Sequence, residues 1–105
     1  MRIYTLYFGQ AVPERADVTE EEWVVFVEKV ISPSLPAGFT VLNARGAWFS
    51  PRAGRTVHEA TKVLVVALPD ADSSLATINH VRGAYQTRFR QQLVGMTIHK
   101  SCGEF

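Results

Sequence analysis

The chain has 105 residues and a mass of 11.7 kDa, with 47% apolar residues, 20% charged residues and a net charge of +1. This describes one globular domain over residues 1–105 and excludes a disordered chain. Eleven basic residues against ten acidic ones argue against a dedicated nucleic-acid binder, and no apolar run approaches the roughly 20 residues of a membrane span.

The first element is RIYTLYFGQ, rich in aromatic and β-branched residues, which predicts a strand over about residues 2–10. Within it Tyr4, Leu6 and Phe8 form the more apolar parity, so Thr5 and Tyr7 are expected to face away from the core. Pro13 and flanking charges break the pattern. Thr19 followed by Glu22 is a capping box, and Glu20, Glu21 and Glu22 put negative charge where the helix dipole favours it. Trp23, Phe26, Val27, Val30 and Ile31 recur at helical steps, which predicts a helix over about 20–32 with Trp23 in the core. Pro33, Pro36 and Gly38 end it.

FTVLNARGAWFS (about 39–50) and TVHEATKVLVVALP (about 56–68) read as two strands joined by the turn PRAG, an antiparallel hairpin. Gly46 inside the first of them suggests a bulge. Lys62 sits near the start of the second strand's apolar run, where its head is expected to escape to water. Asp72 or Ser73 offers an N-cap for a second helix, whose face runs through Leu75, Ile78, Val81, Tyr85 and Phe89 to about Gln92. GMTIHKSC closes the chain as a fourth strand.

The order β-α-β-β-α-β predicts an α+β domain of the ferredoxin-like kind: a four-stranded antiparallel sheet, first and third strands central, with both helices on one face. KVLVVALP is apolar on both parities, so the sheet face away from the helices also needs cover. A second copy of the chain is the expected cover, making a homodimer by face-to-face packing. Residues 1–30 sum to −3 and residues 73–103 to +4. The preferred reading is two solvated helix faces attracting weakly, with a basic patch for an anionic partner as the alternative.

LYFG at 6–9, Trp23, SPSLPAGFTVLNARGAW at 32–48, HEATKVL at 58–64 and AYQTRFRQQLV at 84–94 form an ordered series. Together they resemble a family of small bacterial proteins known as a domain of unknown function. Asn43 stands where that family carries an acidic residue, and Ser34 where it carries an arginine. The resemblance implies no activity. Its members often carry secretion or lipoprotein signals, whereas the opening MRIYTLYFGQ lacks the layout of a signal peptide, so a cytoplasmic location is expected here.

His58, His80 and His99 are spaced by 22 and 19 residues, which matches no metal motif, and no metal site is expected. Cys102 has no Cys-x-x-Cys partner and reads as a small buried thiol. The glycines form no phosphate-cradling loop, and no cofactor is expected. Trp48, near the hairpin end, stands open as core, dimer contact or ligand platform. On parity, Tyr7, Arg45, Glu59 and His99 are expected to line the sheet face away from the helices. There an Arg45–Glu59 pair would hold the strands or dimer in register, or orient a small anionic or aromatic ligand. Two functional classes follow. One is a homodimeric module that binds a protein or small ligand through the sheet face. The other is a cofactor-independent small-molecule enzyme of the dimeric α+β-barrel type, monooxygenase- or isomerase-like, using Tyr7, Arg45, Glu59 and His99 as acid/base and orienting groups.

Overall fold

The fold is built around the first strand. In the computed structural model, which describes residues 1–103, β1 (Arg2–Gly9) pairs antiparallel with both β3 (Arg55–Leu68) and β4 (Gly95–Lys100). β3 pairs in turn with β2 (Thr40–Ser50), giving the sheet order β2-β3-β1-β4 with β1 and β3 central. The domain is thus α+β, with one antiparallel sheet and its helical layer on one face. Tyr4, Leu6 and Phe8 point into that layer and are fully buried. Their cross-strand partners Leu64 and Val66 are buried beside them.

The helical layer consists of α1 (Glu20–Phe26), a π-helical segment (Val27–Ile31), the short α2 (Ser32–Ser34) and α3 (Asp72–Phe89). The predicted capping box is formed: Glu22 N–H donates to Thr19 Oγ1 at 3.1 Å, and Thr19 N–H donates to a Glu22 carboxylate oxygen at 3.1 Å. The change of pitch after Phe26 has a local cause. Pro33 has no N–H to offer the carbonyl one turn back, and the helix widens before it, Ser32 N–H reaching Val27 O instead. Trp23, Phe26, Tyr85 and Phe89 pack with Phe8 in a cluster of tilted and edge-on rings. Ring centroids lie 4.8 Å apart for Phe8–Tyr85 and 5.2 Å for Phe8–Trp23.

Several expectations are corrected. The N-cap of α3 is Ala71, not Asp72 or Ser73; Ser74 instead donates its hydroxyl to Pro69 O at 2.8 Å. α3 stops at Phe89 because Arg90 turns left-handed (φ 51°), its guanidinium held by Pro13 O. Gly46 marks no bulge, since the β2–β3 register runs unbroken from Thr40 opposite Val65 to Ser50 opposite Arg55. Cys102 is exposed, lying two residues past the end of β4 at Lys100. Lys62 does not reach water: it is only 5% exposed, opposite Phe8 on the helical side. The oppositely charged segments do not simply face one another either. Arg82 and Arg90 give their guanidinium groups to the carbonyls of Val94 and Pro13, while Arg15 pairs locally with Glu22.

One geometric feature positions the site. β1 ends opposite Thr61, but β2 and β3 stay paired as far as Ser50 and Arg55. The stretch from residue 45 to residue 60 therefore projects past the rest of the sheet as a two-stranded arm, and the molecule is 43 Å long but only 26 by 21 Å across.

Candidate functional site

Cross-strand partners share a face, so the register defines the face turned away from the helices row by row. Leu42, Val63 and Tyr7 lie side by side, then Ala44, Thr61 and Gly9, then Gly46 and Glu59, then Trp48 and Val57. Among the described residues no helix covers this face: Tyr7 is 43%, Trp48 49% and Leu42 53% exposed. Between these large side chains the surface drops to Gly9, Ala44 and Gly46. This strip of small residues, the trough, runs between the larger Tyr7 and Leu42 at one end and Trp48 at the other.

Glu59 lies in this trough. Its Oε2 accepts the Ala11 N–H at 2.8 Å, and its carboxylate rests over Gly9, where any side chain would collide with it. Gly9 is also held from beneath, because Tyr85 donates its buried hydroxyl to Gly9 O at 2.8 Å. Burial first, and then the carboxylates of Glu59 and Glu22, push the Tyr85 phenol well above its ordinary range, so it stays a donor at any physiological pH. The carboxylate is thus placed by backbone on one side, and its row lies between those of Tyr7 and Trp48.

Of the five residues predicted as a site, Tyr7, Glu59 and Trp48 share the uncovered face, Glu59 lying one cross-strand row from Trp48 and two rows from Tyr7. Trp48 is not core. Arg45 is a correction: it pairs with Ala60 and shares the helical side with Asn43 and Lys62, so it cannot face Glu59 across the ribbon. Residue 45 stands opposite residue 60, and Glu59, one residue off that direct pair, lies on the opposite face. Among the described residues Arg45 makes no ion pair. His99 does lie on the uncovered face, opposite Ile3, but six residues of β1 separate Ile3 from Gly9, about 20 Å. His80 is exposed on α3.

A second concavity of about 460 Å³ opens at the base of the arm, lined by Asp17, Ala44, Arg45, His58, Glu59 and Ala60. Arg45 and Glu59 therefore border one cleft without facing each other. Asp17 and His58 were not legible as its neighbours, because a loop brings the first and a strand overhang the second. Among the described residues no group of three or more His, Cys, Asp or Glu side chains is placed to hold a metal ion, and no helix is long and apolar enough to cross a membrane.

Comparison with known proteins adds a fold likeness. The structure of a phage SAM lyase in complex with S-methyl-5'-thioadenosine superposes with a TM-score of 0.71 at 15% identity, covering 94% of this chain and 80% of that one. The same enzyme's apo state superposes with a TM-score of 0.68 at 14% identity, covering 93% and 78%. At such identities the likeness concerns the fold. No curated protein matches the sequence. The family of proteins of unknown function DUF3574 matches over residues 3–105, and the chain therefore belongs to that family.

Proposed function

We propose that this domain is a small-ligand-binding module whose site is the trough on the uncovered sheet face, and that a second copy of the chain closes it. One observation carries the reading: the Glu59 carboxylate, fixed over Gly9 by the Ala11 N–H, shares the uncovered face with the exposed rings of Tyr7 and Trp48. Aromatic faces and a carboxylate suit a flat ligand that carries N–H donors or a positive charge. They do not suit an anion, since Arg45 is on the other face. The uncovered face keeps Leu42, Val63 and Val65 beside Tyr7, and apolar surface of this kind supports pairing through the sheet. The test combines light scattering with calorimetric titration of S-methyl-5'-thioadenosine and adenosine. The expected result is a mass of twice 11.7 kDa and binding that Trp48→Ala and Glu59→Gln each weaken. A monomer that takes up neither compound overturns the proposal.

A second reading is favoured by the fold likeness to the SAM lyase. In it the trough belongs to a cofactor-independent enzyme acting on a sulfonium nucleoside, with Glu59 beside the cationic centre. Incubation with S-adenosylmethionine, followed by chromatography for S-methyl-5'-thioadenosine, decides it. Turnover abolished by Glu59→Gln supports an enzyme, and binding without turnover supports the module.

A further inference from the structure

On the opposite side of the sheet Lys62 presents a different chemistry. Its side chain is almost entirely buried, yet it is a cation, and its Nζ donates to Asn43 Oδ1 at 2.6 Å and to Glu20 Oε2 at 2.7 Å. Asn43 is its direct cross-strand neighbour. Glu20 reaches in from the first residue of α1, and its side chain is 69% exposed. A buried charge whose one ionic partner among the described residues is a largely exposed carboxylate is unusual, because burying a cation is costly unless it is well paired. Lys62 stands at the end of a groove of about 400 Å³ between α1 and β2, with Trp23, Val24, Val27 and Val41 as its apolar walls. This volume is in the range of small-molecule sites. Val27 also opens the π-helical segment, and such segments recur at functional sites.

We propose that this groove binds a small monocarboxylate with an apolar tail, whose carboxylate replaces that of Glu20 on Lys62 while the tail lies along Val24, Val27 and Val41. Glu20 then serves as a displaceable stand-in, leaving the ammonium paired when the site is empty. The Glu20 carboxylate is already largely in water, and the incoming carboxylate keeps the buried ammonium paired, so the exchange leaves no unpaired charge. The capping box does not use Glu20, so the helix start survives the exchange. Glu28 on the rim repels a second negative charge, which excludes dicarboxylates.

The experiment titrates octanoate and octanedioate into the parent and three variants, and locates binding through the NMR methyl shifts of Val24, Val27 and Val41. Glu20→Gln removes the competitor and tightens octanoate binding about two- to fivefold. Asn43→Asp adds a competing carboxylate and weakens binding at least about fivefold. Lys62→Met abolishes it. If Lys62→Met does not fold, Glu20→Gln and Asn43→Asp decide by moving the affinity in opposite directions. Failure of octanoate to shift the groove methyls, weaker binding to Glu20→Gln, no loss with Asn43→Asp, or preference for octanedioate each overturns the proposal.

Discussion

Glu59 and Gly9 are matched by the absence of a side chain: a Cβ on Gly9 would stand 2.6 Å from Glu59 Oε2. The carboxylate is the movable partner, so a side chain at residue 9 would displace it from the Ala11 N–H. Gly9→Ala is expected to cost about 1–2 kcal/mol, the loss of a charge-assisted hydrogen bond at a partly exposed site. It is also expected to reduce ligand uptake in the trough as much as Glu59→Gln does. Chemical denaturation and the titration of S-methyl-5'-thioadenosine check both, and wild-type uptake by Gly9→Ala would detach the carboxylate's placement from binding.

The two tryptophans should separate core from surface. Trp23 is 4% exposed within the aromatic cluster, and Trp23→Ala is expected to destabilise by about 3–5 kcal/mol, lowering Tm by more than about 10 °C. Trp48→Ala, at a half-exposed site on the arm, should change monomer stability by less than about 1 kcal/mol. Calorimetric melts at a concentration that keeps the chain monomeric check the contrast.

Arg45 and Glu59 are expected to act independently. They lie on opposite faces of the β2–β3 ribbon, with Arg45 opposite Ala60 and Glu59 opposite Gly46. A double-mutant cycle with Arg45→Met and Glu59→Gln should give a coupling below about 0.5 kcal/mol. A coupling of 1 kcal/mol or more would show that the cleft they share brings them into contact.

Acid should loosen the start of α1. Two hydrogen bonds from the Arg15 guanidinium, with the Thr19 N–H adding to them, hold the Glu22 carboxyl at about 2, against an ordinary 4.5. A depressed carboxylate contributes stability that is fully present above its unfolded value, here above about pH 4.5. That contribution is lost as pH falls through the window down to about 2. Glu22→Gln should therefore flatten the decline in stability between those two pH values and leave neutral stability changed only by the lost cap. Denaturation midpoints measured across this range test the slope.

Much of the architecture was legible in residue order, because its causes are local. The capping box at Thr19–Glu22, the inward parity of Tyr4, Leu6 and Phe8, the burial of Trp23 and the hairpin turned at PRAG follow from helical and strand periods and from turn chemistry. The doubly apolar third strand was enough to place β3 at the centre of the sheet. Parity correctly assigns Tyr7 and Glu59 to the uncovered face, but it is inverted for β2: Arg45 is expected there, and the register places Leu42, Ala44 and Trp48 there instead.

Tertiary structure decided everything that depends on how far one strand slides past another. The β1–β4 register puts His99 at the far end of the uncovered face, and the early end of β1 leaves residues 45–60 as a free arm. Lys62 is buried because α1 closes over it and supplies Glu20, forty-two residues away in the chain. Gly9 matters because Glu59, fifty residues later, needs the space above it. Periodicity reports which side a residue faces. It does not report the long-range offset that selects a neighbour, because that offset is set by the summed packing of every strand and helix against the others.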